Sequence, residues 1–185
     1  MYFNHRDMDF YFSWIVGRQT FGGSEAGECF ATATCIVDGA PESWQNAWVA
    51  LAKLVEARAE TALNKGHTVS AREAYLRACT YYRAPLFIMS PKDPTFYENW
   101  QKLQFCFRKA ASLFTPPIEA IQVPFGAKML PGYFWKVDDS GKKRPTVIII
   151  GGIETFAEDT YFLTGSLEMG LRCAEKPKAD HSQDR

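Results

Sequence analysis

The stretch PTVIIIGGIETFAEDTYF, Pro145 to Phe162, limits the fold more than any other part of this chain. Four consecutive β-branched residues, Val147 to Ile150, end at Gly151-Gly152, and helix-compatible sequence starts near Glu154 or Thr155. A short run that is apolar at successive positions predicts a strand covered on both faces, because neighbouring side chains point to opposite sides. Two glycines at its carboxyl end allow a sharp turn and close approach of another group. In open α/β sheets such strand-to-helix turns are where ligands bind. Any chemistry in this chain is expected partly here.

Length and composition narrow the setting. The 185 residues suit one domain, or a small domain with part of a second, and 46% hydrophobic residues suffice for a sizeable core. With 21 basic and 21 acidic residues the formal charge is zero, so no global field favours nucleic acid or an anionic membrane. The five cysteines, at positions 29, 35, 79, 106 and 173, are odd in number, irregular in spacing and without a CxxC pair. This argues against a disulfide framework and against a zinc site, and predicts reduced thiols in a cytoplasmic protein with no metal or cofactor. The N-terminus is broken by His5, Arg6, Asp7 and Asp9 and lacks the layout of a signal peptide. No stretch reaches the roughly 18–20 apolar residues that span a bilayer.

Periodicity divides the chain near Pro117. Residues 5–18 form an amphipathic helix, with Phe10, Trp14 and Ile15 expected on its inner side. After Gly22-Gly23, Ser24 with Glu25 or Glu28 resembles a helix start, and a helix follows to about Ile36. A longer helix runs from about 42 to 65, with Trp44, Trp48, Leu51, Ala52, Val55, Ala59 and Leu63 at threes and fours and Gly66 as its left-handed cap. Thr68 or Ser70, the latter at capping-box spacing from Glu73, starts another helix that is expected to stop before Pro85. Asp93-Pro94-Thr95 opens the next, striped by Tyr97, Trp100, Leu103, Phe107, Ala110 and Leu113 and closed by Thr115-Pro116-Pro117. Beyond Pro117 the pattern alternates, predicting a strand to Phe125, a turn at Gly126, a second strand over 128–137, a polar loop at 138–143, the strand 146–150 and a helix over about 155–174. The polar tail from Lys176 is expected to be disordered. The expected fold is α+β: a helical cap-like domain over 1–116, three strands and one helix over 117–175, and a tail over 176–185. With nothing left to cover the far side of the last strand, the chain reads as truncated.

Gly151-Gly152-Ile153-Glu154 suits either an anion site built from backbone N–H groups or a plain tight turn, and local sequence leaves both open. A dinucleotide fingerprint fits less well, because GGIETF lacks the third glycine of GxGxxG. Glu158 and Asp159 are explained by the favourable field at a helix N-terminus. Glu154, beside the glycines, is placed to face a site at the strand end. No nucleophile emerges: GxSxG is absent, and Ser166 falls mid-helix in TGSLEMG. His67 is at a helix boundary, His5 near the terminus, and His181 with Asp180 in the polar tail, so no triad assembles. Helical spacing makes core packing the default for Trp44, Trp48, Tyr75, Tyr81, Tyr82, Phe87, Phe96, Tyr97 and Trp100, with an aromatic-lined pocket as the alternative.

The segments GHTVSAREAYLRACTYYR, FTPPIEAIQVPFGAKMLPGYFW and RPTVIIIGGIETFAED together resemble the alpha/beta hydrolases with a helical N-terminal domain. That group includes FrsA-like esterases, 2,6-dihydroxypseudooxynicotine hydrolases and fungal polyketide-shortening hydrolases. The likeness runs from about Gly22 to Gly165. It implies a serine hydrolase cleaving esters or carbon–carbon bonds next to a carbonyl, with a helical cap over an α/β core. It further implies one oxyanion-hole N–H from Ile153, a supporting catalytic role for Glu154, and substrate contact at Gly151 and Gly152. The nucleophile, acid and histidine of that family lie further along than this sequence extends, so the chain is expected to be inactive alone. Expected partners are a small ester or diketone substrate, and a complementing C-terminal half or a second copy of the chain, with no nucleic acid or membrane. The rival expectation is a tetratricopeptide-like helical interaction module built on helices 42–65 and 69–83, although no second copy occurs at a period of about 34 residues.

Overall fold

The computed structural model describes residues 1–162. The chain divides into two compact units, Met1–Thr146 and a second that begins at Val147. The first is α+β: five α-helices followed by a two-stranded hairpin.

Helix α1 covers Arg6–Gly17, and a 3₁₀ turn, Arg18–Phe21, follows it. The Asp9 carboxylate accepts the N–H groups of Tyr2 and Phe3, and Asp38 accepts those of Asn4 and His5, which ties down the chain entry. The buried side of α1 is Met8, Phe12 and Ile15, whereas Phe10 and Trp14 are exposed. This corrects the expected face, in which only Ile15 was right. Both stripes have helical spacing, and the neighbours that α1 meets decide between them.

Helix α2, Ala26–Ala33, is capped by Glu25, whose carboxylate accepts from Gly27 and Glu28 N–H, rather than by Ser24. The Ser24 hydroxyl instead donates to the Val16 carbonyl. The helix also ends three residues before the expected Ile36. Helix α3, Pro41–Asn64, has proline at its first position, where the missing N–H costs nothing. It ends in a Schellman motif: Gly66 at φ 77° donates to Leu63, and His67 donates to the Ala62 carbonyl. Helix α4, Thr68–Leu86, starts directly behind that motif with no side-chain cap, so the Ser70–Glu73 box does not form. It also runs through Pro85. The Ala84 carbonyl accepts the buried Trp44 indole N–H at 2.9 Å, so packing against α3 holds this last turn despite the proline.

Asp93 caps α5, Pro94–Ser112, as its sequence predicts, accepting from Thr95 N–H at 2.8 Å. Leu103, Phe107 and Ala110 of the expected stripe are buried, together with Asn99, Cys106 and Ala111. Tyr97 is exposed. The core lies among α1, α3 and α4, where Trp44 meets Trp48 edge-on at 5.5 Å and Trp48 stacks on Tyr81 at 5.8 Å. Tyr75, Tyr81 and Tyr82 are buried, as the default reading of the aromatics requires.

Strands β1, Glu119–Phe125, and β2, Lys128–Phe134, pair antiparallel, with Phe125 opposite Lys128 across the Gly126-Ala127 turn. Gly126 adopts φ 58°, the sign that tight hairpin turns need. Ile118 N–H donates to the Ala111 carbonyl, and the Tyr133 ring packs edge-on against Phe107 at 4.6 Å, anchoring the hairpin to α5.

Residues 147–150 form no strand, which corrects the expected third one: among the described residues the ladder has two members. The expected helix after Thr155 begins as a 3₁₀ turn, Ala157–Thr160, and is helical at Tyr161 and Phe162; the rest of its expected span and the tail lie outside the described residues.

Candidate functional site

Within the second unit, the Gly151–Thr155 segment makes a compact turn closed by Thr155 N–H donating to the Gly152 carbonyl at 3.2 Å. Glu154 takes φ 67°, the single non-glycine residue in the left-handed region among the described residues. That conformation costs an L-residue roughly 1–2 kcal/mol, and strain of this kind concentrates at functional sites. Gly151 is packed as well as flexible: a Cβ there would lie 2.5 Å from Thr155 Cγ2 and 2.7 Å from Thr155 Cβ. Gly152 has open space around it. The turn therefore requires glycine at 151 for room, and the exposed surface begins at 152.

Ile153 is 97% exposed, and its N–H meets no protein acceptor among the described residues. An amide with no protein acceptor, next to a glycine with free space around it, can donate to a developing oxyanion. Glu154 is also exposed and adjoins that donor in sequence. The four residues singled out by sequence, Gly151, Gly152, Ile153 and Glu154, thus form one continuous turn.

Glu158 and Asp159 are each only 2% exposed, a burial their sequence did not signal. Asp159 accepts the Phe156 N–H at 3.0 Å, reaching back to the start of its own turn, as an acidic residue at a helix N-terminus can. The other candidates come to nothing catalytic. His5 caps α1 through a long 3.5 Å contact with Met8 N–H, and His67 flanks α4 with its side chain exposed. Ser166, Asp180 and His181 lie outside the described residues. No three His, Cys, Asp or Glu side chains are grouped to hold a metal among the described residues, and no helix there is long and apolar enough to cross a membrane.

Two polar clusters in the helical unit were not anticipated from the sequence. Glu56 on α3 is buried and accepts from the Tyr82 hydroxyl at 2.5 Å and from Lys102 Nζ at 2.8 Å, joining α3 to α4 and α5. Burial first, then the bond to Glu56, pushes the Tyr82 phenol far above its ordinary value, and the same carboxylate raises Lys102. Glu28 on α2 accepts from Arg58, from Arg77 at 3.1 Å and from the Tyr81 hydroxyl at 2.8 Å, while that hydroxyl accepts from Glu25 N–H. Cys29, Cys79 and Cys106 are buried free thiols and Cys35 is exposed. Burial lifts Cys29 to about 11, which leaves it inert as a nucleophile near neutrality. Helical spacing could locate Glu56 on the apolar face of α3, and that was the one signal available.

The architecture, a helical unit with a two-stranded hairpin and, in the second unit, a glycine turn, fits the helical part and sheet entry of an alpha/beta hydrolase. No protein-family model matches the chain. Hydrolyase poxO of Penicillium oxalicum is 31% identical over 167 residues, 88% of this chain and 40% of that protein. The alpha/beta hydrolase xenA of Xenoacremonium sinensis is 30% identical, covering 91% of this chain and 42% of its own length. The 20-hydroxy-prefusarin hydrolase FUS2 of Gibberella moniliformis is 33% identical, with 88% and 41% covered. Among solved structures, the crystal structure of the 2,6-dihydroxy-pseudo-oxynicotine hydrolase superposes with a TM-score of 0.51 at 24% identity, over 63% of this chain and 32% of that one. That likeness is one of fold. The chain is homologous to part of these alpha/beta hydrolases, the group its motifs resemble, and it spans about two fifths of the length of the curated relatives it matches.

Proposed function

We propose that this chain supplies the helical domain and the oxyanion side of a serine-type alpha/beta-hydrolase site that cleaves esters, or carbon–carbon bonds beside a ketone, by acyl transfer. The observation that carries the reading is the strained Gly151–Glu154 turn, with Glu154 held at φ 67° and Ile153 almost fully exposed. In such a site the Ile153 N–H donates to the oxygen that becomes negative as the nucleophile attacks. Gly151 and Gly152 admit the acyl group, and the Glu154 carboxylate supports the reacting groups from the same turn. An amide aimed at developing charge costs no reorganisation during reaction, and removing one such donor typically costs about 10²–10³ in rate.

An oxyanion donor and substrate binding alone leave only about 10³–10⁴ over water. The proposed substrate is a small ester or diketone and the proposed compartment the cytoplasm.

The test joins this chain, in place of its matching region, to the remaining three fifths of the poxO protein and measures p-nitrophenyl ester hydrolysis. The chimera is expected to turn over, Glu154→Ala to lower kcat by tenfold or more, and the chain by itself to show no enzyme-like rate. Enzyme-like hydrolysis by the isolated chain, lost on Glu154→Ala, overturns the proposal that the chain is only part of a site.

A further inference from the structure

On the outer side of α5 lies a hollow of about 330 Å³, lined by Gln101, Gln104, Phe105, Arg108 and Lys109. These positions follow one another at threes and fours, so they share one face of the helix. The buried stripe of Leu103, Cys106, Phe107 and Ala110 takes the opposite face. Phe105 is the apolar member of the lining and is 40% exposed. Two ammonium groups converge on its ring, Lys102 Nζ at 5.6 Å and Lys109 Nζ at 5.5 Å from the centroid. The negative face of the ring attracts both cations. Glu56 neutralises Lys102 at 2.8 Å. Among the described residues no carboxylate pairs with Arg108 or Lys109, and none lines the hollow. The field at a helix C-terminus explains a cation in the last turn, where Lys109 stands. It does not explain two side-chain amides and an exposed ring on the same face.

We propose that this hollow binds a small aromatic carboxylate. The ligand ring packs on Phe105, its carboxylate accepts from the Arg108 guanidinium and the Lys109 ammonium, and the amides of Gln101 and Gln104 supply further donors. The sign of the ligand follows from the lining, whose charged groups are both cationic. A guanidinium meets a carboxylate through two parallel N–H bonds, which favours a carboxylate over a spherical anion. The volume stands at the lower end of small-molecule sites, so one ring with one acid group suits it. A protein partner fits less well, because interface centres use several apolar or aromatic anchors and this face offers Phe105 alone. The site lies wholly on α5 and owes nothing to the hydrolase reading, so either can fail without the other.

The experiment titrates phenylacetate into the full chain labelled with nitrogen-15 and follows the backbone amide shifts. Acetate, which lacks the ring, and benzyl alcohol, which lacks the charge, are titrated in parallel. Phenylacetate is expected to give saturable shifts centred on residues 101–109, with an affinity about tenfold or more above that of either comparison compound. Salt should weaken the binding, since the cations are exposed. Arg108→Gln with Lys109→Gln should lower the affinity by about tenfold or more, and Phe105→Ala should bring phenylacetate down to the level of acetate. Lys53→Gln, at an exposed position of α3, should leave it unchanged. All of these positions are exposed, so the variants are expected to keep the melting temperature of the native chain. Equal binding of benzyl alcohol and phenylacetate overturns the proposal, as do shifts centred elsewhere or undiminished binding by the Arg108/Lys109 variant. A short glutamate peptide that binds as tightly as phenylacetate overturns it too, because charge alone then accounts for the site.

Discussion

Removing Tyr82 should destabilise the protein or stabilise it depending on whether Glu56 is present. Glu56 is buried and has two donors: the Tyr82 hydroxyl, itself buried, and Lys102 Nζ, whose side chain is 43% exposed. In the native protein Tyr82→Phe deletes a hydrogen bond to a charged acceptor, worth about 1.5–3 kcal/mol. In a Glu56→Leu background the same hydroxyl has lost its acceptor, and an unsatisfied buried group costs about 1–3 kcal/mol. There Tyr82→Phe removes that cost, so its effect changes sign, a swing of about 3 kcal/mol or more between backgrounds. Lys102 adds little to the difference, because its ammonium reaches water when Glu56 is gone, and its exposure limits the pair to about 1 kcal/mol. Urea unfolding at pH 7, followed by the buried Trp44 and Trp48, gives the four free energies of the cycle. If Tyr82→Phe costs the same in both backgrounds, within about 0.5 kcal/mol, the two residues are independent and Glu56 is not the group that holds the Tyr82 hydroxyl.

Alkali should unfold the helical unit early. The folded-state values of Tyr81, Tyr82, Lys102, Cys29 and Cys106 are all raised, so each group's stabilisation is complete below its unfolded value and is lost as pH rises toward the folded one. The loss begins near the thiol value of 9.0, with Cys29 spent by about 11, and deepens past the tyrosine value of 10.0. Urea midpoints between pH 8 and 11 should fall accordingly, and less steeply in Tyr82→Phe. Glu28→Ala removes the acceptor shared by Arg58, Arg77 and the buried Tyr81 hydroxyl, and is expected to lower stability by about 1–3 kcal/mol in the same assay. Gly151→Ala forces a Cβ to within 2.5 Å of Thr155 Cγ2, and displacement of the turn should cut ester turnover of the poxO chimera by about 10²-fold, with Thr155→Gly restoring part of it.

Reading the sequence located the helices well, because their signals are local. Asp93-Pro94 opens α5 and Gly66 closes α3 through groups within a few residues of each other, so no distant contact is needed. The hairpin was equally legible, its turn set by Gly126 and its register by alternation. Faces were harder. On α1, Phe10 and Trp14 have the same spacing as Met8 and Phe12, and hydrophobicity does not say which stripe a neighbour will cover. The Glu56 and Glu28 clusters join residues 26 to 53 positions apart, beyond any window a periodicity reading uses.

The sequence by itself determined the helical order, the hairpin, the glycine pair at 151 and 152 and the relationship to alpha/beta hydrolases, since these rest on local backbone preference and on residue identity. Tertiary structure alone decided which aromatic stripe is buried, which carboxylates are enclosed, that α4 continues through Pro85, and that Glu154 adopts the left-handed region. It also decided against a strand at Val147–Ile150. A helix closes its own hydrogen bonds within the segment, so its sequence nearly suffices. A strand has none of its own, and β-branched residues become one only where another strand lies alongside.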